Sequence, residues 1–211
     1  MEGLRWVIRI STSTIQALFE DDLIWGILHA CPKLIGYEGF VLADFVCKHS
    51  SLFQNIQWLN CFIRHKTRGL CLLPNVEYMS LQATHFGPSE ISIVAPKLEY
   101  LFLYGYDFIF SNISTENVKH LCWQILDLSP GNSLEDILWS FTRLCSCELI
   151  FDLRQSNRFE LARNFFYPRA RHIWDFLNYI DCTVTLTLLV EGDSLFKELT
   201  FPIGCRVIKK K

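Results

Sequence analysis

The chain has 211 residues, of which 50% are hydrophobic and 14% aromatic, and its formal net charge at pH 7 is −2. This length is enough for one domain with a sizeable core, and the near-neutral charge gives no general attraction to nucleic acid. The most apolar stretch, residues 98–110, contains Glu99 and Asp107 and is shorter than the roughly 18 apolar residues of a membrane span. We therefore expect neither a nucleic-acid partner nor a membrane partner.

The N-terminal segment, residues 4–10, is a short apolar run that we interpret as a cap on one end of the domain. Arg9 interrupts it, and the order of charged and apolar residues is not that of a secretory signal. We therefore expect a cytoplasmic or nuclear location.

Nine cysteines occur without a C-x-x-C pair, and an odd number without a secretory signal predicts reduced thiols that serve as small core residues. Zinc-like spacing is also missing, so we expect no metal site. The nine are Cys31, Cys47, Cys61, Cys71, Cys122, Cys145, Cys147, Cys182 and Cys205.

Three segments have helical spacing. The first, residues 21–31, begins with two aspartates and ends at Pro32. Its apolar stripe consists of Leu23, Ile24, Ile27 and Leu28. The second helix is predicted over residues 133–144, with Ser133 as its N-cap, and the third over residues 157–166.

A repeated spacing, apolar-x-x-apolar-x-apolar, recurs six times at steps of 20 to 26 residues, and seventeen of its eighteen positions are apolar. Such a period is typical of leucine-rich repeats. It predicts parallel strands near residues 57–62, 77–82, 99–104, 119–124 and 146–151, with helical or irregular segments between them. The six segments begin at Leu34, Ile56, Val76, Leu98, Val118 and Leu144, and the exception is Gly39.

The last sixty residues break the period. Residues 183–189 alternate as a strand, residues 191–194 form a turn signal, and residues 195–201 are a possible return strand. We therefore predict one α/β domain over residues 1–211, a short leucine-rich-repeat solenoid with a parallel sheet on its concave face. Residues 1–21 would be the N-terminal cap, residues 22–154 the repeats, and residues 155–211 a C-terminal helix-plus-hairpin cap.

Three junctions carry a more specific signal, in which a small residue or Leu precedes Pro, then a basic residue or Asn, then an aliphatic residue. They are Cys31-Pro32-Lys33-Leu34, Leu73-Pro74-Asn75-Val76 and Ala95-Pro96-Lys97-Leu98. Over residues 22–150 this pattern resembles plant-type F-box/leucine-rich-repeat proteins. The resemblance implies the substrate-recognition repeats of a ubiquitin-ligase subunit.

The chain departs from that family in two ways. The ninth repeat position, where the family has Asn or Cys, holds Leu42, Arg64, Thr84, Tyr106, Leu126 and Asp152. The residues before Asp21 leave no room for an F-box, so we expect no direct binding to the Skp-type adaptor.

The residues between the inward strand positions would point to the concave face, because side chains alternate across a strand. We expect this face to bind a protein partner, since exposed aromatic patches mark interaction sites. The candidate residues are Trp58, Phe62, Tyr78, Gln82, Tyr100, Phe102, Tyr104, His120 and Gln124, with Asn60, Ser80 and Cys122 beside them.

Two alternatives remain open. The C-terminal segment covers the face, so that the chain is a closed structural domain, or the chain is part of a larger protein without its own binding site. A small hydrolase is less favoured, because the histidines are scattered singly and no catalytic motif is present. We expect no enzyme activity and no cofactor.

Overall fold

The structure is a computed structural model that describes residues 6–8, 21–63, 68–83, 90–105, 113–125, 140–152, 182–191 and 205–210. The described helices are α1 (Asp21–Ala30), α2 (Ala43–Lys48) and a short 3-10 helix (Ser50–Phe53). The described strands are β1 (Trp6–Ile8), β2 (Leu34–Leu42), β3 (Trp58–Ile63), β4 (Arg68–Leu72), β5 (Tyr78–Ala83), β6 (Glu90–Val94), β7 (Tyr100–Gly105), β8 (His120–Ile125), β9 (Ser146–Asp152), β10 (Thr183–Glu191) and β11 (Cys205–Lys210).

The main sheet is parallel throughout the described residues, in the order β1-β2-β3-β5-β7-β8-β9-β10-β11. Its strands follow one another along the chain, so the backbone winds as a solenoid of about four turns. The predicted parallel strands are confirmed, and most begin one residue later than the spacing indicated.

The core forms because equivalent apolar positions of successive strands lie in register. One inward row consists of Leu59, Met79, Leu101, Leu121 and Cys147, and the next of Cys61, Leu81, Leu103, Trp123 and Leu149. All ten are at most 2% exposed. One repeat cannot bury such a row alone, and stacking on its neighbours completes the core.

A second, two-stranded parallel sheet of β4 and β6 lies outside the main sheet, where the sequence suggested only helical or irregular segments. In β6 and the residue after it, Ile91, Ile93 and Ala95 are buried, whereas Val94 is exposed. This alternation has period two, which is typical of a strand with one face on the core. The expectation for these two segments was therefore wrong.

Strand β2 contains a bulge that changes the first repeat. Its register with β3 shifts between Tyr37 and Phe40, so Val41 pairs with Cys61. Val41, with no exposed surface, therefore occupies the inward position that the spacing assigned to Gly39. Gly39 was the one residue of the repeat pattern that is not apolar, and this exception disappears once the bulge is included.

The junction residues before the strands form a ladder of polar contacts between turns. Nδ2 of Asn75 donates to the Gln54 carbonyl at 2.7 Å, and Nζ of Lys97 donates to Oδ1 of Asn75 at 2.7 Å. The same relation recurs two turns further on, where Arg143 Nη1 donates to Oδ1 of Asn117 at 2.9 Å. These contacts give a structural role to Asn75 and Lys97, which follow two of the junction prolines, and they lie before the strands rather than at the ninth repeat position.

The predicted helix over residues 133–144 does not extend to its expected end. Residues 140–144 form turns, because this segment enters β9 and its backbone is tied to the previous repeat through Cys145 N and Lys119 O, 2.7 Å apart. Residues 133–139, the predicted helix at 157–166 and the possible return strand at 195–201 lie outside the described residues. The strand that is described further on, β11, pairs with β10 in parallel.

The first helix is confirmed as α1, although its buried stripe is narrower than expected. Ile24 and Leu28 are buried, whereas Leu23 is 47% exposed. Leu23 lies one residue before the stripe and is turned away from the core by the helical twist.

The expectation that all cysteines are reduced was wrong for two of them. Cys47 of α2 and Cys71 of β4 form a disulfide. The disulfide can form because the backbone of β4 lies close to α2. A Cβ added at Gly69 would lie 3.0 Å from Cβ of Cys47, and Gly69 has φ +144°. Only glycine adopts such a conformation without strain, so it lets β4 pass close to α2.

Candidate functional site

The face of the main sheet opposite the buried inward rows is the one that the sequence predicts to be concave. It presents three rows of side chains, each row running across the strands at one register position. The first row consists of Trp58, Tyr78, Tyr100, His120 and Ser146. The second consists of Asn60, Ser80, Phe102, Cys122 and Glu148, and the third of Phe62, Gln82, Tyr104, Gln124 and Ile150. We call the first row the aromatic row.

Three large rings of the aromatic row are open to solvent. Trp58 is 44% exposed, Tyr78 39% and Tyr100 44%. The ring centroids of Tyr78 and Tyr100 are 6.4 Å apart at an interplanar angle of 30°. Parallel strands place equivalent side chains one strand spacing apart, so rings in one row stack along the sheet.

The stack continues to His120 and ends at Ser146. The Tyr100 and His120 rings lie 4.5 Å apart, nearly parallel at 15°. Nδ1 of His120 is hydrogen-bonded to Oγ of Ser146 at 2.8 Å. These contacts fix the imidazole at the end of the aromatic row.

A shallow hollow of about 160 Å³ opens where the aromatic row ends. Its lining combines aromatic rings with a carboxylate, a hydroxyl and a thiol, and among the described residues that line it none is Lys or Arg. The lining residues are Tyr78, Tyr100, Leu101, Phe102, His120, Leu121, Cys122, Ser146 and Glu148.

Cys122 and Glu148 are the polar pair at the base of this hollow. Sγ of Cys122 donates to Oε2 of Glu148 at 3.6 Å. Burial above all, and then the charge and hydrogen bond of Glu148, raise the pKa of the Cys122 thiol to about 12. The group therefore remains a thiol at neutral pH, which is unsuited to nucleophilic attack.

A charged rim lies one residue before the aromatic row. Nζ of Lys119 donates to Oε1 of Glu99 at 2.6 Å, and this hydrogen bond, with the attraction of the carboxylate, raises the pKa of Lys119. Glu77, beside Tyr78, is exposed. Both groups of this ion pair are more than a third exposed, so the ion pair contributes little stability. Its main effect is that the charge of Glu99 neutralises the charge of Lys119.

The structure places the nine predicted site residues on one face but exposes them unequally. The most exposed are the three large rings of the aromatic row. The remaining six are half-buried, namely Phe62, Gln82, Phe102, Tyr104, His120 and Gln124. The predicted residues of the second and third rows are thus less exposed than the three large rings of the aromatic row.

Two residues of the site were missed from the sequence, Ser146 and Glu148. The repeat segment that begins at Leu144 already placed Cys147 and Leu149 inward, so the residues between them were due to point to the concave face. Extending the outward positions by one strand identifies both. Within the described part of the chain, no cluster of three His, Cys, Asp or Glu side chains has the geometry of a metal site.

Comparison of the chain with protein-family models, curated proteins and solved structures found no match. Of the helices that the structure describes, none has the length and apolar character required to span a bilayer.

Proposed function

We propose that the chain is a non-enzymatic protein-interaction scaffold that holds an extended partner segment on its concave face. The observation that carries this proposal is the row of three large rings, Trp58, Tyr78 and Tyr100, each 39–44% exposed on one side of a rigid sheet. Aromatic rings provide much contact area for little conformational entropy, and Trp and Tyr are enriched among residues that dominate binding energy.

The resemblance to plant-type F-box/leucine-rich-repeat proteins supports the same proposal, because it implies repeats that hold a protein substrate. The repeat period, the parallel sheet and the polar junctions agree with that resemblance. The partner would lie across the strands, where successive turns offer equivalent contacts at regular spacing.

One observation favours the closed structural domain as a second candidate. Thr187 of β10 lies in the third row of the concave face, in register with Ile150, yet it is only 3% exposed. Its Oγ1 is buried and has no hydrogen-bond partner among the residues that the structure describes. The third row is therefore covered at β10, whereas Thr183, in the first row of the same strand, is exposed.

Selection of a random peptide display library on the immobilised chain tests the proposal. Peptides that bind the native chain should lose affinity by about 2 kcal/mol or more when Tyr100 and Tyr104 are both replaced by Ser, as expected of dominant contact residues. Trp25→Ser is the matched control, because Trp25 of α1 is also 44% exposed but lies outside the concave face. If the double variant unfolds, or binds the peptides as well as the native chain, the closed domain replaces the proposal.

A further inference from the structure

The hollow at the end of the aromatic row has room for one side chain. Where the row passes from His120 to Ser146, a ring gives way to a small hydroxymethyl group, and space remains beside the imidazole. Small-molecule pockets usually measure about 300–1,000 Å³, whereas this hollow measures about 160 Å³. Its size therefore suits a single long side chain better than a complete small ligand.

Glu148 gives the hollow an uncompensated carboxylate. Its one hydrogen-bond donor within the described part of the chain is the Cys122 thiol at 3.6 Å, and thiols are weak donors. An ionised carboxylate accepts about four hydrogen bonds, so most of this capacity is unused. A half-buried carboxylate in this state gains most from a cationic donor, since charge-assisted hydrogen bonds are about twice as strong as neutral ones.

The shape of the hollow favours one of the two common cationic side chains, arginine, over the other, lysine. A guanidinium is planar, donates two parallel hydrogen bonds to a carboxylate and stacks on aromatic rings. The hollow offers both surfaces, a carboxylate from Glu148 and the face of the His120 ring that is not stacked on Tyr100. A lysine ammonium is a compact charge without a flat face and would use only the carboxylate.

We propose that this hollow binds an arginine side chain of the partner segment. This inference rests on the proposed function, and it specifies a basic extended segment as the partner. The methylenes of the arginine lie against Phe102, which is half-buried. The exposed Glu77 on the rim adds negative potential, while Lys119 is already paired with Glu99, so the surface attracts a basic segment and repels an acidic or phosphorylated one.

Ethylguanidinium chloride tests the hollow without a partner. Titrated into the native chain and followed by NMR, it should shift the imidazole signals of His120 and the amide of Glu148 saturably, and ethylammonium chloride at equal ionic strength should bind at least fivefold more weakly. Glu148→Gln should weaken ethylguanidinium binding at least tenfold. Glu116→Gln is the matched control, because that carboxylate is exposed outside the hollow, and it should bind like the native chain.

Selected peptides separate this inference from the proposed function. Replacing arginine by citrulline, its neutral isostere, should cost at least tenfold in affinity for the native chain and nothing for Glu148→Gln. If peptides bind but tolerate citrulline, or if Glu148→Gln leaves ethylguanidinium binding unchanged, the arginine site is wrong and the scaffold stands. If ethylguanidinium binds as expected but no peptide does, the scaffold is wrong, and if neither binds, both are wrong.

Discussion

Leu101 shows how much one inward side chain contributes. It is 2% exposed and lies in a row with Met79 and Leu121. Leu101→Ala should reduce the free energy of unfolding by about 2–5 kcal/mol, because it removes buried methyl groups and leaves a cavity in the core. Urea denaturation measures the change.

Leu70→Ala is the control for that substitution. Leu70 is 51% exposed, so the same chemical change should alter stability by less than about 0.5 kcal/mol. Equal effects of the two substitutions would mean that the alternation of inward and outward positions is wrong.

Cys122 should make the stability depend on alkaline pH. Burial, with Glu148 beside it, raises its pKa from 9.0 to about 12, so the folded chain keeps a proton that the unfolded chain releases. This stabilisation is complete below about pH 9 and is lost as the pH rises toward about 12. The free energy of unfolding, measured between these values, should decrease, and less steeply in Cys122→Ala. An unchanged slope in the variant would show that Cys122 is solvated.

Alanine substitutions at two glycines test two features of the fold, the close approach of β4 to α2 and the helix α1. A Cβ at Gly69 would lie 3.0 Å from Cβ of Cys47 and would require a strained φ of +144°, whereas a Cβ at Gly26, inside α1, would have nothing within 4 Å. Gly69→Ala should therefore destabilise the chain by about 1 kcal/mol or more. Gly26→Ala should stabilise it by about 0.5–1 kcal/mol, because alanine favours the helix.

Thermal denaturation of the two variants, compared with the native chain, gives opposite shifts of the midpoint on this account. Shifts of the same sign would contradict either the helix at α1 or the close approach of β4 to α2.

The repeated strands were predictable from sequence because each inward residue is apolar and recurs at a fixed period. The strands β4 and β6 were missed because five-residue alternations lie inside segments whose length also suits a helix. The bulge in β2 was invisible for another reason: it depends on which residue of β3 pairs with Val41, and pairing is a property of two strands. The sequence pattern likewise included Asn75 and Lys97, but it did not show that their side chains form a hydrogen bond between successive turns.

At the scale of the molecule, the aromatic row was predictable from the alternation along each strand, but the hollow beside it was not. The hollow exists because Ser146 follows His120 in the row, and that neighbourhood joins residues 26 positions apart. Whether an outward ring is open or covered depends in the same way on distant chain segments. Trp58 and Thr187 both face the concave side, yet their exposed fractions are 44% and 3%.

The most direct test of the open aromatic row is photochemically induced dynamic nuclear polarisation, which detects Trp, Tyr and His rings that a dye can touch in solution. The account predicts polarised signals from Trp58, Tyr78 and Tyr100 in the native chain. Tyr37, 2% exposed, serves as the internal control and should give none. If Tyr78 and Tyr100 are as silent as Tyr37, the concave face is covered by the chain itself, and the interaction scaffold must give way to a closed structural domain.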